Sequence, residues 1–186
     1  IYDGQATRGD RLDFDRLVQA ILKRLDWAQT NTDSPGGRLP VLLTAKAAEL
    51  LWGTLQSALN GKQVLEGSSP WSDRIGDPVL ASNLHLYQDP NQGPYGCPFD
   101  DEGTETQRLS FVEGGRLDRF YCDRAAGKAL GLQTTGNGFR GLGSNPIPGL
   151  FNFIVAPGPS SFEDLVASID EGVILDQVLG GGPGIS

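Results

Sequence analysis

Methionine is absent from the 186 residues, histidine occurs once and cysteine twice. Each shortage removes a class of chemistry. One imidazole, His85, cannot build a histidine-rich metal centre. Two thiols, Cys97 and Cys122, cannot build the disulfide framework of a small secreted domain, and read as reduced, partly buried thiols. Basic residues are also scarce: 15 Lys and Arg against 23 Asp and Glu leave a net charge of -8 and a pI near 4.5. Nucleic-acid backbones are held by clustered cations, so direct nucleic-acid binding is not expected. No apolar run approaches the roughly 18–20 residues of a membrane span, and no signal peptide is visible. No membrane attachment is expected. With no methionine and with Ile1 first, the sequence reads as a piece excised from a longer polypeptide. Its glycine-rich close at 180–184 reads as a second cut.

Glycine is abundant, at 26 of 186 residues, about twice the usual share of roughly 7%. Tight turns and backbone-lined loops follow. The length suits a single domain, 1–186, with a real core. A polar, extended lead-in at 1–11 precedes apolar residues at helical spacing (Phe14, Leu17, Val18, Ile21, Leu22, Leu25, Ala28). They predict an amphipathic helix capped by Asp13 with one buried face. A polar loop at 30–38, a short strand at 39–44 and a helix at 45–60 ended by Gly61 come next.

Beyond residue 61 the pattern shortens. Strands are expected at 79–87, 108–112, 117–122, 151–156 and 173–179. Gly114-Gly115 reads as a two-residue hairpin turn, because such turns need positive φ. Asp123 caps a helix running to Leu130, with Gly131 as its stop. Residues 134–149 read as a loop. Ser160 with Glu163 reads as a capping box for a helix reaching Asp170 and ended by Gly172. The expected fold is α+β: two N-terminal helices, then mostly antiparallel sheet with short helices.

Nucleophilic and phosphate-binding motifs are missing. There is no Gly-x-Ser-x-Gly and no Gly-Lys-Ser/Thr ending to a glycine-rich loop. Cys97, in Gly96-Cys97-Pro98, reads as an ordinary thiol in a turn. Two constellations remain. Asp100-Asp101-Glu102-Gly103 sets three carboxylates side by side. Such a run persists as a solvated turn, through backbone N–H partners, or around a cation. Thr134-Thr135-Gly136-Asn137-Gly138-Phe139-Arg140 combines φ-permissive residues with a guanidinium. It serves either as a structural turn or as a holder of carboxylates or peptide backbone. Asp100, Asp101, Glu102, Thr135, Asn137 and Arg140 are expected to converge, with Arg108 and Arg140 supplying the compensating charge.

The order of these segments carries a resemblance. Phe99-Asp100-Asp101-Glu102-Gly103-Thr104 precedes Thr106-Gln107-Arg108, then Val112-Glu113-Gly114-Gly115-Arg116-Leu117 and Asp123. Thr135-Gly136-Asn137-Gly138, Arg140, Pro146-x-Pro148, Asn152 and Pro157-Gly158 complete it. From about residue 39 onward the series resembles the C-terminal domain of the TldD/PmbA family, whose members are named both as modulators of DNA gyrase and as metallopeptidases. Active members carry a His-Glu-x-x-x-His helix. Aligned without gaps, that motif falls on Gly53-Thr54-Leu55-Gln56-Ser57-Ala58, and neither cysteine matches the family's further ligand.

The resemblance therefore implies the PmbA-like branch: a non-catalytic subunit of a cytoplasmic, heteromeric metallopeptidase acting in peptide proteolysis or maturation. It implies a TldD-like catalytic partner that holds the zinc, no cofactor in this chain, and a peptide or unfolded-protein substrate. Asp100, Asp101, Glu102, Arg108, Thr135, Asn137, Arg140 and Asn152 are the candidate peptide- or partner-binding residues. Two alternatives stay open: a regulatory protein-binding module of the gyrase-modulator kind, and an enzyme with a different active site at the acidic cluster.

Overall fold

The computed structural model describes residues 3–7, 9, 11–33 and 35–178. The chain divides into two compact units, Ile1–Arg38 and Leu39–Ser186.

In the first unit, α1 spans Phe14–Trp27, and the Asp13 carboxylate accepts from Arg16 N–H as its N-cap. The Arg24 guanidinium reaches Asp3 at 2.9 Å. The buried face expected for this helix is not there: no residue of α1 is buried, and Phe14 is 67% exposed. Val18, Leu22 and Leu25 are exposed beside it. Apolar spacing marks which side of a helix can be buried and not what covers it.

The second unit opens with β1 (Val41–Leu43), followed by α2 (Glu49–Leu59) and α3 (Gly61–Leu65). Gly61 does not end a helix, as expected, but begins one, with Asn60 as N-cap accepting from Lys62 N–H. Glycine is needed there for another reason: a Cβ would lie 2.4 Å from Cys122 Sγ.

The main sheet has the order β4-β3-β2-β7, from β2 (Leu86–Gln88), β3 (Leu109–Glu113), β4 (Arg116–Leu117) and β7 (Ile154–Val155), and every pairing in it is antiparallel. Gly114 and Gly115, with φ of 55° and 74°, make the turn between β3 and β4. The strand expected at 79–87 forms only at its end. Val79 and Leu80 instead donate their N–H groups to Gly115 O, so this stretch wraps the turn. A Cβ on Gly115 would meet Leu80 O at 2.4 Å. The strand expected at 117–122 also stops early, because Tyr121 leaves the sheet to exchange backbone bonds with Leu59 and Gly61.

Helix α4 (Arg124–Leu130) keeps its expected ends, Asp123 as N-cap and Gly131 left-handed at φ 70°. The expected loop at 134–149 contains a small hairpin, β5 (Gly138–Phe139) with β6 (Ile147–Pro148). Helix α5 (Phe162–Ala167) is capped by Ser161 and Asp164, one residue later than expected, and it stops short of Asp170. Gly172 has no left-handed conformation; its Cβ would lie 2.9 Å from Pro40 O. β8 (Val173–Leu175) pairs parallel with β1. The strand expected at 173–179 stops at Leu175: residues 176–178 carry no strand, and Leu179 lies outside the described residues.

The core gathers Leu59, Leu86, Phe111, Val112, Leu117 and Cys122 between the sheet and α2 to α4. Each large apolar side chain buried there stabilises the fold by about 1.5–3 kcal/mol. Phe111 and Tyr121 pack edge to face, 6.0 Å between centroids. The Tyr121 hydroxyl keeps a partner by donating to Gln56 O at 3.1 Å.

Candidate functional site

The acidic turn and the Asn137 loop meet. Asp100 is buried, yet each carboxylate oxygen is satisfied by main chain. Oδ1 accepts from Glu102 N–H at 3.0 Å and Thr104 N–H at 2.7 Å, and Oδ2 accepts from Gly138 N–H at 2.9 Å. Asp101 accepts from Arg140 N–H at 2.9 Å and donates its own N–H to Gly138 O at 2.9 Å. Glu102 accepts from Arg124 N–H at 2.8 Å, at the first residue of α4. Its carboxylate occupies the space a side chain at 138 would need, 2.4 Å from the position of that Cβ.

Asn137 is fully buried. Its amide donates to Gln88 Oε1 at 2.8 Å and Gly149 O at 2.9 Å, and its carbonyl oxygen accepts from Thr135 Oγ1 at 2.7 Å and Gln88 Nε2 at 3.2 Å. Thr135 in turn accepts from Cys122 N–H at 2.8 Å. Four of an amide's hydrogen-bonding positions are thus used, as a buried amide requires.

Arg108 and Asn152 act next door. Asn152 clamps the turn after β2: its oxygen accepts from Asp89 N–H at 3.1 Å, and its amide donates to Asp89 O at 2.6 Å and Gln92 O at 2.9 Å. Arg108 lies over the Tyr87 ring, 4.8 Å from the centroid, with Nε 3.7 Å from Asp89 Oδ2. The expectation that Arg108 and Arg140 compensate the acidic turn is corrected. Arg108 serves Asp89, and Arg140 contributes its backbone N–H while standing exposed. Backbone donors carry the compensation because they are fixed in place and cost no side-chain entropy.

Gln88 and Asp89, both buried, were missed as site residues. A signal existed: Leu84, Leu86 and Gln88 alternate in one phase, so a polar residue stood where the strand points inward. Burial also sets the chemistry nearby. It pushes the Cys122 thiol up to about 11, with the Asp123 charge adding to it. Burial raises Tyr121 to about 12 against the opposing hydrogen bond from Asn60. Cys122 is therefore an inert thiol near neutral pH. His85 is exposed and accepts from Gly114 N–H at 3.3 Å. Among the described residues, no three His, Cys, Asp or Glu side chains converge as metal ligands do. The network thus fixes loops and presents Asp101, Arg108 and Arg140 at the surface.

Residues 36–186 match the family model described as the PmbA/TldA metallopeptidase C-terminal domain. A metalloprotease of Methanocaldococcus jannaschii is 30% identical over 151 residues, 79% of this chain and 33% of that protein. The metalloprotease PmbA of Escherichia coli O157:H7 is 26% identical over 147 residues, 78% of this chain and 31% of that protein. The crystal structure of TldE from Thermococcus kodakarensis superposes with a TM-score of 0.87 at 27% identity, covering 94% of this chain and 40% of that one. The chain spans about a third of the length of these curated relatives.

Proposed function

The chain belongs to the PmbA/TldD metallopeptidase-related family, and on that premise we propose that it is part of a non-catalytic, PmbA-like subunit that assembles with a TldD-like metallopeptidase to process peptides or unfolded protein in the cytoplasm. The observation that carries the reading is the makeup of α2. Where the family resemblance places His-Glu-x-x-x-His, this helix holds Gly53-Thr54-Leu55-Gln56-Ser57-Ala58. Zinc needs nitrogen, sulfur or oxygen donors. Gly53 and Ala58 supply none, and Ala58, 5% exposed, sits in the core. Thr54 stands in the place of the general base and has no carboxylate to take a proton. These residues do not fit a catalytic zinc, so the metal and the cleavage step belong to the partner.

The test is co-expression of the full-length protein with the TldD-like homologue of the same genome, followed by size-exclusion chromatography with light scattering and metal analysis. The expected result is a stoichiometric complex whose zinc and peptidase activity vanish when the partner's metal-binding helix is disabled. Stoichiometric zinc in the isolated protein, lost on substituting His85 or either cysteine, would overturn the reading, as would failure to associate. A protein-binding regulatory role is the second reading, favoured by similarity to a Thermotoga maritima protein described as a candidate modulator of a DNA gyrase, 26% identical with a TM-score of 0.81. It predicts association with a protein target and no effect on peptide cleavage.

A further inference from the structure

The sequence holds two Asn-Gly pairs, Asn60-Gly61 and Asn137-Gly138. In a flexible chain this pair deamidates spontaneously, because glycine has no side chain to hinder attack by its own nitrogen. The glycine nitrogen bonds to the asparagine Cγ. Its proton leaves with the side-chain nitrogen as ammonia, and water opens the resulting imide to aspartate or isoaspartate. Ring closure needs a glycine N–H free to lose its proton and a carboxamide free to swing onto the nitrogen. At Asn137-Gly138 neither is free. Gly138 N–H donates to Asp100 Oδ2 at 2.9 Å in the interior, and a negative charge there opposes the anionic nitrogen that would attack. The carboxamide is gripped by Gln88, Gly149 and Thr135. At Asn60-Gly61 the restraint comes from elsewhere. Gly61 N–H donates to Tyr121 O at 2.9 Å, and the Asn60 carboxamide meets Lys62 N–H at 2.9 Å and Pro148 O at 3.4 Å.

We propose that Asn137 is a latent deamidation site guarded by Asp100, and that its conversion turns a transient opening of the 134–149 loop into a permanent one. The place built for the amide does not take the product. An aspartate at 137 turns a carboxylate toward Gln88 Oε1 and Gly149 O, which now accept from amide hydrogens. Gln88 can turn its amide over to donate, but Gly149 O can only accept, and a buried charge facing an acceptor is expelled. Isoaspartate adds a methylene to the main chain just before Gly138, which pairs with Pro148 and accepts from Asp101 N–H. The loop then fails to reseat, and the link from Arg140 N–H to Asp101 is lost with it. The acidic turn thus has a chemical task beside its structural one. Conversion proceeds only from the opened loop, so its rate follows how often Asp100 lets Gly138 go.

Peptide-resolved mass spectrometry of the full-length protein, aged at mildly alkaline pH with and without urea, tests this. In urea both pairs are expected to convert at similar rates. In the native wild type Asn137 converts at least about a hundredfold more slowly, since only the small open population reacts. Asp100→Asn speeds Asn137 about tenfold or more, the scale of losing a charged acceptor in the interior, and leaves Asn60 at its wild-type rate. Asn60 therefore reports global unfolding within the same molecule. Asn137→Asp mimics the product, and it is expected to lose hydrogen-exchange protection at the Gly138 and Arg140 amides while β3 stays protected. The proposal is overturned if native Asn137 converts within about tenfold of its rate in urea, or if Asp100→Asn speeds both pairs alike or neither. It is also overturned if Asn137→Asp keeps the Gly138 and Arg140 protection, or loses protection throughout β3 as well.

Discussion

Gln88 and Asn137, 49 residues apart in sequence, hold each other by a reciprocal pair of amide hydrogen bonds at 2.8 and 3.2 Å, and both side chains are fully buried. Removing Asn137 takes the donor from Gln88 Oε1 and the acceptor from Thr135 Oγ1, and removing Gln88 takes one partner each from the Asn137 amide and its carbonyl oxygen, all in the interior. Asn137→Ala and Gln88→Leu are each expected to cost about 2–4 kcal/mol, one or more unsatisfied groups at about 1–3 kcal/mol each. Urea unfolding measures this. The double variant should cost less than the sum, since the second change removes the orphan left by the first. Strict additivity would show that the two amides do not act as a pair.

The two neighbouring aspartates are expected to part company. Asp100 accepts three backbone N–H groups while buried, and Asp101 accepts one at the surface. Asp100→Asn turns one acceptor oxygen into a donor facing N–H groups and should destabilise by about 1–3 kcal/mol. Asp101→Asn should cost less than about 1 kcal/mol. If the folded Asp101→Asn protein loses partner or peptide binding, that carboxylate is a contact group. Unchanged binding makes it a staple between loops.

Alkaline pH is expected to weaken the fold in a defined window. Cys122 rises from 9.0 to about 11 and Tyr121 from 10.0 to about 12 on folding, both mainly through burial. The native state therefore holds these protons more tightly than the unfolded chain. The stability this contributes is complete below pH 9 and is lost as the pH rises through 11 and 12. Denaturant midpoints measured across that range should fall, and Cys122→Ala should flatten the first part of the fall. Alkylation of native protein near neutral pH should spare Cys122.

Thr104 Oγ1 is the buried side-chain oxygen without a partner among the described residues. Thr104→Val keeps the shape and the backbone bonds to Asp100 while removing that unpaired hydroxyl. It is expected to raise stability by about 1 kcal/mol, read as a higher urea midpoint with an unchanged slope.

What the sequence made legible was local. The Gly114-Gly115 turn demanded positive φ, and the α4 ends at Asp123 and Gly131 needed a side-chain acceptor and a left-handed residue; all three are decided within a few residues. The convergence of Asp100 with the Asn137 loop was legible as a cost, since adjacent carboxylates need donors. Which donors was not. Sequence displays side chains, so Arg108 and Arg140 stood out, whereas the N–H groups of Glu102, Thr104, Gly138 and Arg140 look alike in every residue. The Gln88 partner of Asn137 was hidden by distance along the chain. The apolar stripe of α1 was visible in the spacing, but spacing shows that a face exists and not what covers it.

The separation of Gln88 and Asn137 also sets an order of events in time. The β3–β4 turn and α4 close on residues a few positions away, whereas the amide pair waits for the chain between them to be gathered. Loop-closure entropy is paid before a distant contact repays it, so the pair is expected to form once the local elements have assembled, outside the folding nucleus. Substituting Asn137 should then leave the refolding limb of a chevron almost unmoved and raise the unfolding limb, so that the amide pair acts as a latch on the lifetime of the native state rather than as a guide to reaching it.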